Sequence, residues 1–327
     1  PIEGSEKENV FALRTVVSAD KIRKFVLEAH PKNVVIVGTG FIGMELAESF
    51  SARGIQVTMV ELAPHVMPTL DSEMSEELEK YLREKKVTIV TGDSAAKFTG
   101  SPLVNKVILK SGRMLETDFV IMAVGIKPNV SLAQKAGVQL GSTGAIQVNA
   151  KMETSVEDIY ACGDCAESFS IITGKPFYRP LGSTANKMGR VAGDQITGGD
   201  LEFQGGLGTG IFKVFDMAVA QTGLTEKEAL REGYEVTVSH DRKPDKPEYY
   251  DGQDMLIKAV ADKKTGRVLG AQIIGPAGVD KRIDVFVTAI TFGAQAEDLA
   301  NLDLAYSPPF STAKDPVIFT GMILGKG

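Results

Sequence analysis

NVVIVGTGFIGMELAESFSARGIQVTMVE, residues 33–61, is the stretch that decides the fold. It opens on four β-branched residues, Val34 to Val37. A Gly-x-Gly-x-x-Gly run follows at Gly38, Gly40 and Gly43. Phe41–Arg53 then reads as a helix, with Met44, Leu46, Ala47 and Phe50 spaced to bury one face, and Gly54 stops it. A second apolar run, Ile55–Val60, ends on Glu61. Strand, tight turn, helix, strand and acid in this order form a dinucleotide-binding unit. The glycines let backbone approach a pyrophosphate, and the start of the helix, at Phe41 and Ile42, offers orphan N–H groups and a positive dipole end. Glu61 accepts hydrogen bonds from ribose hydroxyls. The rival reading is a βαβ unit whose glycines serve packing alone; the complete context favours the dinucleotide. Glu61 also favours NADH over NADPH, because a carboxylate repels a 2′-phosphate. Leu62, Ala63 and Pro64 bring no Arg to reverse this, and His65 is a weak counter-signal.

The chain has 327 residues, enough for two or three domains. It is 43% hydrophobic with a net charge of −6, a balance that argues against nucleic acid as a partner. No apolar run approaches the roughly 20 residues that span a bilayer, and no signal peptide is read, so the cytoplasm is the expected location. Both cysteines fall in one motif, Cys162-Gly163-Asp164-Cys165, which is no extracellular disulfide framework.

Outward from the opening stretch, residues 1–18 read as an extended lead-in and Ser18–His30 as a helix capped by Ser18. Asp71–Lys86 is a charged amphipathic helix burying Met74, Leu78, Tyr81 and Leu82. Val87–Val90 is the third strand of a parallel set. Lys106–Lys110 and Phe119–Ala123 are further strands, with a turn at 111–113 between them. Gly125 and Pro128 mark a sharp exit after the latter, where doubly wound folds bind ligands. Ile146–Val148 and Ile159–Ala161 read as short strands, and Pro180–Gly198 as a turn followed by a small-residue helix. Six glycines in Gly198–Gly210 read as a domain boundary. Beyond it the pattern is α+β. Lys213–Gln221 reads as one strand, Thr225–Glu228 as a capping box, 235–239, 254–261 and 267–274 as strands, and Asp280–Phe292 as a helix.

Zinc at the Cys-x-x-Cys needs four ligands, and no second Cys pair or His pair supplies them. A redox Cys-x-x-Cys usually opens a helix, whereas this one follows a strand. The better reading takes Asp164 as an acceptor at a strand end, with Gly163 allowing close approach of a ligand. No metal site and no catalytic side chain is assigned.

The ordered set GTGFIGMELAE (38–48) with Glu61, AVGIKPN (123–129), IYACGDC (159–165), PLGSTANKMGR (180–190) and AYSPPFSTAKDP (305–316) resembles the flavin-dependent pyridine nucleotide–disulfide oxidoreductases. The last motif is most similar to the branch of NADH oxidases, coenzyme A-disulfide reductases and persulfide or polysulfide reductases. The resemblance implies an α/β fold in three modules: a Rossmann-like NAD domain (8–126), the second half of a split FAD-binding domain (127–200) and an α+β dimerisation domain (201–327). It implies FAD and NAD as cofactors, oxygen or a small disulfide, persulfide or polysulfide as acceptor, and a homodimer. By similarity, Asp164 beside Gly163 meets the ribityl or phosphate part of FAD. The helix start at Leu181 and Gly182, with Ala185 on the following turn, points at the flavin pyrimidine. Glu45 orients the nicotinamide and Phe41 sits where relatives cover the flavin. Gly125 lies in the strand exit, and the arm carrying Phe310 reaches the partner's site. In the coenzyme A-disulfide group two tyrosines of the C-terminal domain assist; Tyr249 or Tyr250 matches one, while Phe310 stands at the other. The first GxGxxG and the redox cysteine of the family are not in this sequence, so the resemblance also suggests a fragment. The rival function is therefore a nucleotide-binding and dimerising module without catalysis. A simple NAD dehydrogenase is a third reading, but it needs an acid–base His or Lys that the motifs do not place.

Overall fold

In the computed structural model, which describes residues 2–326, the chain forms two compact units. One runs to Gly125 and takes in Phe212–Ala218; the other comprises Ile126–Ile211 and the chain from Val219 onward.

The first unit is built on a five-stranded, wholly parallel sheet in the order Val10–Phe11, Phe119–Met122, Asn33–Val37, Gln56–Val60, Thr88–Val90. Its central strand pairs Val34 with Phe119 on one side and with Val57 on the other. Parallel strands covered on both faces lose the polar alternation of a half-exposed sheet. Hence Val34, Val35 and Ile36 are all buried, as are Val120 and Ile121 beside them. Phe41–Ser51 and Ser72–Glu84 are the helices between successive strands. Met74, Leu78 and Leu82 of the second are fully buried.

Several local expectations change. The strand at the sheet's edge, Val10–Phe11, comes from the stretch read only as an extended lead-in. It is tied down by Asn9, whose side-chain amide donates to the carbonyls of Val104 (2.8 Å) and Asp118 (2.7 Å) and accepts from the Val104 N–H (2.9 Å). The first helix starts at Val16, not after Ser18. Thr15 caps it, and Ser18 is the third helical residue, closing a capping box. The turn at 111–113 joins Lys106–Leu109 to Met114–Glu116 instead of leading to 119–122. With Ala95–Thr99 these make a separate three-stranded antiparallel sheet. Phe98, Val107 and Leu109 of that sheet pack with Val35, Val37, Val60 and Val120 of the parallel one.

In the second unit Ile146 makes isolated bridges to Leu140 and Ala166, and Tyr160 one to Glu153, instead of strands. This region closes over Met152, Ala161, Met188, Val191, Ala192 and Phe203. Its helix runs Gly182–Ile196. A five-stranded sheet follows in the order Gly210–Val214, Met217–Gly223, Val268–Gly275, Asp254–Asp262, Val236–Pro244. The segment read as one strand, 213–221, is instead the middle of a hairpin. Phe215 adopts a left-handed backbone (φ 52°), which reverses the chain. The expected hairpin across Lys263–Gly266 is present, pairing Ile257 with Ile273. Helix Val279–Thr291 packs on strand 268–275 through a face that includes buried Ile283, Phe286 and Ile290. Two more helices, Ala296–Ala300 and Pro316–Leu324, complete the unit. Among them Arg282 is fully buried. Its guanidinium donates to the Asp245 carbonyl (2.7 Å), Ser311 Oγ (3.2 Å) and Asp315 Oδ2 (3.0 Å).

Candidate functional site

The glycine turn of the first unit is shaped by what surrounds each glycine. Gly38 has φ +103°, and a Cβ there would run into the carbonyl of Ala123 at the end of the neighbouring strand. Gly43 sits one helical turn on, where a Cβ would meet the Gly38 carbonyl. These two let the helix approach the sheet closely. Gly40 differs: φ is −70°, and nothing lies within 4 Å of a Cβ built there. It is the N-cap of helix Phe41–Ser51, and no side chain caps that end. The first N–H groups, among them those of Phe41 and Ile42, therefore have no protein cap and meet open space beside Gly40. An anion with flexible oxygens fits such a cradle.

Glu61 follows the strand Gln56–Val60 and is half-buried. Its carboxylate accepts from the Thr39 N–H (3.1 Å), the Thr39 hydroxyl (2.6 Å) and the Ala63 N–H (3.0 Å). Glu45 lies on the exposed side of helix Phe41–Ser51. Phe41 stands edge-on to Phe212, with ring centroids 5.2 Å apart. Phe212 belongs to strand Gly210–Val214, which leads into the hairpin tip; contacts holding that tip include Phe215 N–H to Glu48 (2.8 Å), Asp216 N–H to Tyr81 Oη (2.9 Å) and Lys85 to Asp216 (2.5 Å). Gly125 is exposed with φ +101° and open space at its Cβ position.

A second uncapped helix start lies in the other unit. Leu181 is the N-cap of Gly182–Ile196 without a side-chain bond, and the Cβ position of Gly182 is open. Gly163 (φ +75°) opens a short 3₁₀ turn that presents Asp164 to solvent. A Cβ on Gly163 would lie 3.4 Å from that of Ala185, so turn and helix are in near contact. The Tyr178 hydroxyl donates to the Asp164 carbonyl (2.8 Å), and burial pushes its pKa up. Asp164, Leu181, Gly182 and Ala185 are thus brought together across 20 residues of sequence. Cys162 and Cys165 are free thiols, and burial raises the pKa of Cys162. Among the described residues no group of three or more His, Cys, Asp or Glu side chains is disposed to hold a metal ion.

Two matches to known families cover this architecture: pyridine nucleotide-disulphide oxidoreductase over residues 1–189, and the dimerisation domain of the same family over 210–316. The chain belongs to the pyridine nucleotide-disulphide oxidoreductases. It is 42% identical over 325 residues to an NAD(P)H sulfur oxidoreductase (CoA-dependent) of Pyrococcus furiosus, a match that covers 99% of this chain and 73% of that protein. It is 37% identical to an NADH oxidase of Methanocaldococcus jannaschii, covering 97% of this chain and 70% of that one. A solved NAD-dependent persulfide reductase from A. fulgidus superposes with a TM-score of 0.97 at 42% identity, over 100% of this chain and 60% of that chain. No helix among the described residues is long and apolar enough to cross a membrane.

For this oxidoreductase, the sequence motifs find both helix starts but miss the residues that hold them. Thr39 is one of the three positions between the glycines, and nothing in its type announces a bond to Glu61. Phe212 lies beyond a glycine-rich stretch and over 150 residues from Phe41. Phe310 is largely exposed, in an arm pinned one residue later by Ser311, which donates to Asp315 (2.7 Å).

Proposed function

We propose that this chain is a flavoprotein oxidoreductase, or a fragment of one, that passes hydride from NADH to FAD. Its electrons go on to a small disulfide, persulfide or polysulfide, with oxygen as the other acceptor class. The observation that carries this reading is the pair of uncapped helix starts, at Gly40 and at Leu181, in a chain of this family. Each is a fixed partial positive charge with open space before it. When bound, NADH supplies a hydride and FAD accepts it and releases electrons singly or in pairs.

The residues of the chain bind and orient. The N–H groups around Gly38, Gly40, Phe41, Ile42 and Gly43 hold the dinucleotide pyrophosphate, and Glu61 accepts from the adenosine ribose. Glu45 orients the nicotinamide, Phe41 shields the flavin face, and Gly125 lets the strand exit pass close to the ligand. Asp164 and Gly163 hold the ribityl or phosphate part of FAD. The N–H groups that follow Leu181, at Gly182 and the next residues, face the pyrimidine, with Ala185 leaving room for it. Both groups fit the residues present, since the Cβ positions at Gly40 and Gly182 are open. NADH is preferred over NADPH because Glu61 carries negative charge where a 2′-phosphate would sit. The dimerisation domain brings two copies together as a homodimer, and the arm with Phe310 serves the partner's site. Sulfur acceptors are favoured over oxygen by the sulfur and persulfide reductases at 42% identity.

The test is an anaerobic titration of the purified protein with NADH. A flavin absorption band at about 450 nm that survives dialysis and bleaches with NADH supports the reading. Loss of flavin on dialysis together with no NADH binding would sink it. Coenzyme A persulfide and oxygen, offered in turn to the reduced protein, then separate the acceptors.

A further inference from the structure

The carboxylate of Glu61 is held on three sides by its own chain. Oε2 accepts both the Thr39 N–H, at 3.1 Å, and the Thr39 hydroxyl, at 2.6 Å. Oε1 accepts the Ala63 N–H, at 3.0 Å. Thr39 is in turn immobile: it is fully buried, and its Oγ1 accepts from the Met67 N–H at 3.1 Å. A hydroxyl has one proton to give. With Met67 occupying an acceptor position, that proton goes to Glu61. An ionised carboxylate offers about four acceptor positions. Three are taken, including both on Oε2, and one is left on Oε1.

We propose that Thr39 is a positioning residue for recognition of the dinucleotide ribose. It locks the Glu61 carboxylate so that a single acceptor position, on Oε1, remains for a ribose hydroxyl. This rests on the reading of Glu61 given above and deepens it. A glutamate side chain has several rotatable bonds, and an untethered one swings away from a 2′-phosphate at small cost. Pinned through Oε2, it cannot withdraw, and the repulsion is retained. Selectivity for NADH is then a property of the pair and not of the acid alone. The tether also links the glycine turn, through Thr39, to the 61–67 segment that follows the strand, since Ala63 and Met67 both donate into the same small network.

The test compares Thr39→Val, which keeps the shape and removes the hydroxyl, with Thr39→Ser, which keeps the hydroxyl. Dissociation constants for NADH and NADPH are measured by calorimetry on the purified protein, with thermal midpoints alongside. Thr39→Val is expected to weaken NADH about tenfold, the scale of one hydrogen bond to a charged group. NADPH is expected to change less than about threefold, so the preference narrows, and Thr39→Ser restores both constants to within about twofold. Should Thr39→Val not fold, Thr39→Ala makes the same comparison. A ratio of the two constants that stays at the wild-type value in the Val or Ala variant, whether both are unchanged or both weaken in parallel, overturns the proposal. Wild-type protein that binds neither dinucleotide overturns the parent reading and this one with it.

Discussion

Gly38 and Gly40 stand two residues apart in one motif, and their surroundings assign them opposite duties, which alanine separates. At Gly38 the backbone is at φ +103°, and an added Cβ would lie 2.7 Å from the carbonyl carbon of Ala123 and 3.3 Å from the Val124 nitrogen. Both are backbone atoms just past the end of strand Phe119–Met122, where the Ala123 N–H still donates to the Val37 carbonyl (2.7 Å), so neither yields cheaply. Strain of about 1–3 kcal/mol for an L-residue in that region adds to about 1–3 kcal/mol for overpacking. The lost flexibility of the unfolded chain returns only about 0.4–1 kcal/mol. Gly38→Ala should therefore lose about 3 kcal/mol, which at about 2–4 °C per kcal/mol lowers the thermal midpoint by roughly 6–12 °C. At Gly40 the backbone is ordinary for any residue and the Cβ position is open. Gly40→Ala should cost at most about 1 kcal/mol, from the poorer N-cap preference of alanine. Its methyl nevertheless occupies the open space in front of the helix N–H groups, and NADH affinity should fall at least about tenfold. Calorimetric melting and NADH titration of the two variants decide the matter. Gly40→Ala protein that binds NADH like the wild type, or Gly38→Ala protein that melts with the wild type, would refute the reasoning.

Other expectations follow from single contacts. Asp315→Ala leaves the fully buried Arg282 guanidinium without its carboxylate and removes the cap that accepts from the Val317 N–H (3.0 Å), so denaturant unfolding should show a loss of about 3–5 kcal/mol; a loss below about 1 kcal/mol would show the pair to be idle. Lys85 and Asp216 hold the hairpin tip, with the lysine pKa raised and the aspartate pKa lowered by their mutual hydrogen bond. Their contribution is present between the two ordinary values, 3.8 and 10.5, and is lost as pH falls through the folded pKa of Asp216 or rises through that of Lys85. Asp216→Asn should accordingly lower the melting temperature slightly at neutral pH and low salt, the deficit shrinking as pH falls below the ordinary aspartate value of 3.8, and a deficit that does not shrink would contradict the assignment. The Cys162 thiol is pushed above its ordinary 9.0 by burial, so alkylation of the native protein at pH 7.5 should be much slower than that of a free thiol. Fast single-site labelling at Cys162 would reopen the redox reading of the Cys-x-x-Cys.

Much of this protein was legible in the linear chain, for reasons that are local. Val34–Val37 alternates with nothing polar because a strand buried on both faces tolerates nothing polar, and that pattern is visible in any window of five residues. The glycines at 38, 40 and 43 declare a tight turn by their spacing, although only Gly38 has a backbone that other residues rarely adopt. The helix starts at Phe41 and Gly182 follow from the preceding turn residues and from periodicity, and the box at Thr225 and Glu228 from capping. What the tertiary structure alone decided is which distant groups meet. Asn9 finds Val104 and Asp118 only after the sheet has formed. Lys213–Gln221 reads as one strand because no Gly or Pro interrupts its apolar residues, yet Phe215 reverses the chain, where its backbone N–H is held by Glu48 of a helix over 160 residues earlier. Ile146 and Tyr160 carry strand-like residues, but no neighbour runs alongside long enough to make a ladder. Glu61 is an acid at a strand end in the sequence; its three donors, and the one acceptor position they leave, exist only where Thr39 and Ala63 are folded against it. A sequence specifies its elements through interactions a few residues long, whereas hydrogen bonds at 3 Å between remote residues depend on the whole chain having closed.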